Sequence, residues 1–435
     1  MQVTVEKTSE LKRKMTVSIP DAVVQEKMEN RFKALAREVK VDGFRPGKAP
    51  TNILKKLYGE RVKSEITGDL IQSTYFEALQ QQNLEPAGQP HIQSLENNGG
   101  FEYIAEFEVY PEILLDGINQ LQITRPVATV TEADVDNMIA KLRLQKKTWT
   151  PVERVSAQGD RVTLNFSGVC EGENFTDGKV ENYQTEIGLG QMIPGFEDEL
   201  LGLTAGAAKT FSIKFPENYG NEKLAGKVAE FDAEITAVEE PTLPALDAEF
   251  IQSYGVESAD LDDFRADVKL NMERELGQGL KTRLKSAVLD ALYANIAIST
   301  PTTLVDQEIQ NIIQPYADRA KSLGQRLEDL QLPVEVFENH ARRRVALSLI
   351  MGEIIQKNGI KIDDVKVRAV IEDMAKSYEV PEDVIDWYYA DNERLNDVKQ
   401  MVLEDQTIDW IISQVIITDE QVTFSDVMEK PQVEA

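Results

Sequence analysis

Residues 11–19, LKRKMTVSI, alternate apolar and polar side chains at a period of two, and with residues 2–7 before them they predict a pair of strands. Pro20 ends the second strand. Over residues 21–40 the period changes. Val24, Met28, Phe32, Leu35 and Val39 recur at intervals of four and three, which places them on one helical face, and Gly43 follows as a stop. A short helix over residues 50–58 and a longer one over residues 61–82 come next; in the latter Val62, Ile66 and Leu70 stack beside Ile71, Tyr75 and Leu79. Strand character returns in HIQSLE and GFEYIAEFEVYP, with NNGG between them as a hairpin turn. Residues 1–113 therefore predict an α+β domain.

Residues 114–149 read as a connector. Its segment TVTEADVDNMIAKLRLQKKTW offers Thr131 as an N-cap with Asp134 at the capping-box position, and Val135, Met138, Ile139 and Leu142 as an apolar stripe. Lys146 and Lys147 fall near the helix C-terminus, where the macrodipole favours cations. Residues 150–245 change to short strands and glycine-rich turns, with an amphipathic helix expected over residues 195–201. Residues 246–435 read as almost wholly helical and acidic. They include VEVFENHARRRVALSLIMGEIIQKNG, stopping at Gly359, and one long amphipathic segment following Pro381. The fold class is multidomain α+β: an α+β domain, an antiparallel β domain with a short helix, and an all-α domain with which the connector belongs.

Composition narrows the function. At 435 residues the chain exceeds what one core supports, and 28 % charged with 42 % hydrophobic residues is a soluble globular mix. The net charge of −28 argues against bulk attraction to nucleic acid or anionic lipid. It is unevenly spread. Residues 1–64 hold 15 Lys/Arg against 8 Asp/Glu, a local +7, so the remainder carries −35. One cysteine, Cys170, leaves no internal disulfide and fits a cytoplasmic protein. The polar start MQVTVEKTSELKRK has no signal-peptide core, and no stretch approaches the roughly 20 apolar residues of a membrane span. Two histidines, His91 and His340, read as structural or surface residues and give almost no material for a metal site or triad. Gly188, Gly190 and Gly195 imitate a phosphate loop but lack the βαβ context and a following Lys-Ser/Thr. No metal or cofactor is expected.

The middle domain carries the chemistry. Aromatics recur at Phe166, Phe175, Tyr183, Phe196, Tyr219 and Phe231, and by spacing alone they are the core of a small β domain. The ordered motifs LNFSG, EGENFTDG, IGLGQMIPGFEDELLGLTAG, FPENYG and AEFDAEI, however, resemble the FKBP-type peptidyl-prolyl isomerases over the whole domain. That resemblance implies a proline pocket lined by Phe166, Phe175, Tyr183, Met192, Ile193, Phe196, Tyr219 and Phe231, with Phe196 at the floor position usually filled by Trp. Thr176 departs from the family, which commonly has Asp directly after the residue matching Phe175. An aromatic pocket without acids or bases suits the reaction. Amide rotation faces a barrier of roughly 18–20 kcal/mol from resonance, and twisting destroys that resonance and makes the carbonyl more ketone-like. A dry, shaped cavity favours the twisted form, with Tyr183 or a backbone N–H near Ile193 available to steady the substrate carbonyl.

The segment VDGFRPGKAP lies inside the basic head, between two predicted helices. Arg45 can fork onto a phosphate or carboxylate, Lys48 adds a point charge, Phe44 offers an apolar face, and Gly43, Pro46 and Gly47 shape the turn. Alone, it is also compatible with an ordinary turn bearing solvated charges. With the full domain order, the chain resembles the bacterial trigger factor family along its whole length. The resemblance implies that Gly43, Phe44, Arg45, Pro46, Gly47 and Lys48 dock on the large ribosomal subunit near the exit tunnel, touching a ribosomal protein and rRNA. It also implies that two arms of the helical domain shelter nascent and unfolded polypeptides, and that the protein forms a homodimer off the ribosome. Candidate client contacts are Ile313, Tyr316, Val345, Leu349, Trp387 and Tyr388, each of which reads first as core packing between helices. Arg342, Arg343 and Arg344 read as a solvated helix face among acids. Two other readings stay open: a stand-alone prolyl isomerase targeted by its flanking domains, and a nucleic-acid-binding regulator using the basic head.

Overall fold

The computed structural model describes residues 1–39, 44, 50–97, 100–176, 178–221, 223–322, 324, 326, 334–376, 378 and 380–429. Along them run β1 (Gln2–Lys7), β2 (Lys12–Pro20), α1 (Asp21–Glu38), α2 (Thr51–Gln82), β3 (His91–Asn97), β4 (Gly100–Glu108), β5 (Gln122–Val127), α3 (Glu132–Gln145) and β6 (Thr148–Pro151). The middle segment holds β7 (Arg161–Cys170), β8 (Glu173–Asn174), β9 (Val180–Glu186), α4 (Phe196–Glu199), β10 (Ala208–Lys214) and β11 (Val228–Thr242). Then come α5 (Ala248–Gln252), α6 (Leu261–Asn295), α7 (Thr302–Ser322), α8 (Val334–Asn358), α9 (Asp364–Ala375), α10 (Pro381–Tyr389), α11 (Asn392–Gln414), β12 (Ile416–Gln421) and α12 (Phe424–Glu429). Two compact units result, one of residues 1–126 with 282–420, the other of residues 127–281 with those after 420.

In the first unit, four antiparallel strands order as β1-β2-β4-β3. The period-two pattern of β2 turns Met15, Val17 and Ile19 into the core, where Phe32 and Leu35 of α1 and Leu54, Val62 and Leu70 of α2 cover them. The helix expected to break between residues 58 and 61 is continuous through Gly59. A surface glycine costs a helix only about 1 kcal/mol relative to Ala, less than burying Leu54 and Val62 on either side returns. Farther along, Ile118, Leu121 and Ile123 share a core with Val288, Leu292, Ile350 and Ile411. A smaller core joins Val367 and Ile371 to Val398 and Val402. The single helix expected after Pro381 is two, because Asp391 accepts the N–H of Glu393 (2.8 Å) and starts α11 afresh. The three consecutive arginines are all paired: Arg342 with Glu338 (2.8 Å), Arg343 with Asp290 (2.7 Å) and Arg344 with Glu308 (3.0 Å).

The second unit is built on a six-stranded antiparallel sheet. Its path is β10-β11-β7-β8, with β6 added to β11 and β9 to β7. Val162, Leu164 and Phe166 alternate inward along β7 against Ala233 and Ile235 of β11. A separate core packs Val135 and Ile139 of α3 on Phe250, Phe264 and Met272. Thr131 and Asp134 cap α3 reciprocally: Asp134 accepts the Thr131 N–H (2.9 Å), and its own N–H reaches the Thr131 hydroxyl (3.3 Å). Among the described residues, no helix is long and apolar enough to cross a membrane.

Candidate active site

Strand alternation and one short helix assemble an aromatic cluster above the six-stranded sheet. β7 presents Phe166, β11 presents Phe231, and α4 begins with Phe196, which is fully buried. Phe196 meets Phe166 edge to face at 5.6 Å and Phe231 at 5.2 Å. Phe175, in the turn after β8, meets Phe231 at 5.6 Å, and Phe215, beyond β10, at 5.7 Å. Tyr219 leans on Phe215 at 4.7 Å. Such pairs contribute about 0.5–1.5 kcal/mol each beyond their area burial, so this cluster fixes its own shape.

The cluster opens as a cavity of about 430 Å³. Of the eight residues expected there, Phe166, Phe175, Met192, Ile193, Phe196, Tyr219 and Phe231 line it. Tyr183 does not; it packs edge-on against Phe166 at 5.7 Å from outside the lining. Gln191, Pro194, Phe215 and Pro216 complete the wall and were not anticipated, since nothing distinguishes Phe215 and Pro216 from ordinary strand-end residues. The lining contains no carboxylate, ammonium, guanidinium, imidazole or thiol. The Thr176 hydroxyl faces its own turn: it accepts the Gly168 N–H (3.2 Å) and lies 2.7 Å from the Gly178 carbonyl.

The glycines that imitate a phosphate loop have an internal partner. Glu197, next to Phe196, accepts the N–H groups of Gly188 (2.7 Å), Gly190 (3.0 Å), Gln191 (2.7 Å) and Met192 (3.1 Å). Burial opposes the charge on this carboxylate, yet the four donors hold its pKa below the ordinary carboxylate range. Among the described residues, no group of three or more His, Cys, Asp or Glu is arranged to hold a metal ion.

The other candidates lie in the first unit. Of the docking segment only Phe44 is described, and it is 37 % exposed; Gly43, Arg45, Pro46, Gly47 and Lys48 lie outside the described residues. Val345 is buried with Val305 and Ala341, and Leu349 packs half-buried against them. Ile313 is half-buried, whereas Tyr316 is largely exposed and meets Phe337 at 5.7 Å. Trp387 is 53 % exposed, 5.1 Å from Tyr388, with the Arg394 guanidinium 3.9 Å over its ring. These two aromatics, with Met374, Tyr378, Asp383 and Val384, border an open hollow. A second groove, not anticipated, runs between Leu289, Leu347, Met351, Ile355 and Met401.

Comparison with known proteins accounts for all three parts of the chain. Residues 1–142 match the family described as bacterial trigger factor protein, and residues 260–413 its C-terminal part. Residues 153–236 match the FKBP-type peptidyl-prolyl cis-trans isomerases. The trigger factor of Stutzerimonas stutzeri (strain A1501) is 41 % identical over 437 residues, covering 99 % of this chain and 100 % of that one. That of Cellvibrio japonicus (strain Ueda107) is 43 % identical over 431 residues, covering 98 % and 99 %. A solved structure described as "Promiscuous Substrate Recognition in Folding and Assembly Activities of the Trigger Factor Chaperone" aligns with 95 % of this chain and 99 % of its own. Its TM-score is 0.50 at 18 % identity, a likeness of fold.

Proposed function

The chain belongs to the bacterial trigger factor family and carries an FKBP-type peptidyl-prolyl cis-trans isomerase domain, and from that premise we propose a ribosome-associated cytoplasmic chaperone that isomerises Xaa–Pro bonds in the Phe166–Phe231 cavity. The division of labour follows the sequence: residues 1–113 dock, 150–245 isomerise, and 246–435 with 114–149 hold clients between two arms.

The observation that carries the isomerase assignment is the composition of the cavity wall. Five phenylalanines and no charged side chain surround a space of about 430 Å³, a volume suited to a proline ring and its neighbours. A planar amide is strongly polar and loses hydration on entering such a site. The twisted amide has less charge on its oxygen and loses less, so the cavity lowers the rotational barrier without a nucleophile. Phe196, fully buried, would form the floor, the partly exposed Phe175 and Tyr219 the rim, and Met192 with Ile193 one wall. Tyr183 stands outside the lining, which favours the Ile193 N–H as the group that steadies the substrate carbonyl.

Docking on the large ribosomal subunit near the exit tunnel is assigned to Gly43, Phe44, Arg45, Pro46, Gly47 and Lys48. The local +7 of residues 1–64 supports it, since an otherwise acidic protein needs one cationic face to approach ribosomal RNA and protein. Tyr316, Trp387 and Tyr388 are the exposed or half-exposed candidates for nascent-chain contact; Ile313, Val345 and Leu349, half-buried or buried, would act as packing residues. Off the ribosome, the protein is proposed to pair as a homodimer. The isomerase assignment is tested by refolding of a proline-limited protein with catalytic amounts of the chain. The wild type should accelerate the slow phase and Phe231→Ala should not; equal acceleration by both rejects the cavity as the site.

A further inference from the structure

Glu197 is a buried charge behind the cavity wall, next in sequence to the lining residue Phe196 and only 6 % exposed, that the isomerisation chemistry itself does not call for. Its Oε2 takes the N–H groups of Gly188 and Gly190, and its Oε1 those of Gln191 and Met192, so one carboxylate accounts for four donors along five residues. Gly188 has φ 99°, in the left-handed region, and a Cβ there would also lie 2.0 Å from Gln158 Nε2. The turn is thus shaped around the carboxylate.

The series of bonds ends at Met192, within the cavity lining and one residue before Ile193. Among the described residues no acceptor is found for the Ile193 N–H, and Pro194 has none to offer. The Met192–Ile193 peptide is nevertheless bracketed. On one side the Met192 N–H is held by Glu197 (3.1 Å); on the other, the Ile193 carbonyl accepts the Phe196 N–H (3.0 Å). Both anchors belong to the first turn of α4, which also supplies the floor phenylalanine.

We propose that Glu197 is a positioning residue for prolyl isomerisation: its carboxylate fixes the turn over residues 188–192 so that the Ile193 N–H is presented to a carbonyl oxygen of the bound peptide. The inference rests on reading the cavity as the isomerase site. A donor fixed before the substrate arrives needs no reorganisation as the amide twists, which is where a preorganised N–H is worth most. A neutral amide at residue 197 would bring its own N–H donors against some of the four, and the turn would lose its single arrangement.

The test compares the full-length wild type with Glu197→Gln, Glu197→Asp and Phe231→Ala, measuring kcat and KM on an apolar Xaa–Pro tetrapeptide together with the cooperativity of unfolding. Glu197→Gln should unfold cooperatively but lose about tenfold or more in kcat, with KM changed less than about threefold because the aromatic floor still takes the proline ring. Glu197→Asp, which keeps the charge one methylene back, should recover part of kcat. Wild-type kcat in Glu197→Gln, or a loss confined to KM, overturns the inference. If Glu197→Gln does not fold, Glu197→Asp decides: a smaller kcat-selective loss supports the role, and an unchanged kcat overturns it. Phe231→Ala separates the two levels. Should it be inactive while Glu197→Gln is unimpaired, only the role of Glu197 falls; should it retain full activity, the cavity reading falls as well.

Discussion

Phe175 lies so close over Gly168 that a Cβ added at residue 168 would sit 2.3 Å from its Cζ. The glycine in β7 is therefore what lets the ring close one side of the cavity. Gly168→Ala should force Phe175 outward and lower kcat/KM for isomerisation by about tenfold, an overpacking effect of roughly 1–3 kcal/mol in a filled site. Aggregation suppression should be unchanged. A peptide assay on the variant beside a refolding-aggregation assay checks both halves.

Glu108 is buried at the end of β4 and accepts from the Thr302 hydroxyl (2.9 Å) and the Thr303 N–H (3.1 Å) at the first turn of α7. The Thr303 hydroxyl lies 2.8 Å from the Ala87 carbonyl. The four-stranded sheet thus caps α7 from outside the helix, and the negative charge suits the helix N-terminus. Glu108→Ala should lower the unfolding free energy by about 1 kcal/mol, the cost of leaving partly buried donors to water. Hydrogen exchange should rise first at Thr302 and Thr303; exchange that is unchanged there would contradict the cap.

Two buried carboxylates of the isomerase domain are stabilised in their charged form. At Asp160, as at Glu197, burial opposes the charge, but Arg154 (2.6 and 2.9 Å) and the Ala157 N–H (2.8 Å) outweigh it and hold the pKa low. A depressed folded-state pKa adds stability above the unfolded-state value, near 4, and that stability is lost as pH falls through the folded-state value. The urea midpoint of the domain should stay level from about pH 7 to 5 and drop below about pH 4. Asp160→Asn should start lower at neutral pH and fall less in acid. A midpoint that rises as pH drops below 4 would contradict the assignment.

Trp387 stands exposed with the Arg394 guanidinium over its ring and the Arg394 Nη1–H donating to the Trp387 carbonyl (2.6 Å). It makes little of the buried core, so Trp387→Ala should cost less than about 1 kcal/mol of stability. If the exposed ring contacts clients, the same variant should suppress aggregation less well while isomerising peptides normally. Unchanged suppression would remove Trp387 from the client surface.

Some of this was legible in the sequence, for physical reasons that differ by element. The alternation of Val162, Leu164 and Phe166 and the Thr131/Asp134 cap are local signals, written in adjacent residues, and both appear in the fold. The break at Asp391 was also local, but apolar periodicity on either side concealed the cap. The continuity of α2 through Gly59 was hidden because tertiary burial, absent from local propensity, decides it. Phe215 and Pro216 reach the cavity only because β10 pairs with β11, a contact no motif announces. Glu197 stands in the sequence as one acid of the FEDE stretch, and its four N–H partners become visible only once the turn is folded around it.

The central claim is that this isomerase works on nascent chains because its basic head holds it to the ribosome. Co-sedimentation with translating ribosomes tests it directly, comparing the wild type with the triple variant Phe44→Ala, Arg45→Ala, Lys48→Ala. The account predicts that the wild type pellets with ribosomes and the variant stays in the supernatant, while peptide isomerisation is equal in both. Undiminished pelleting of the variant would contradict it.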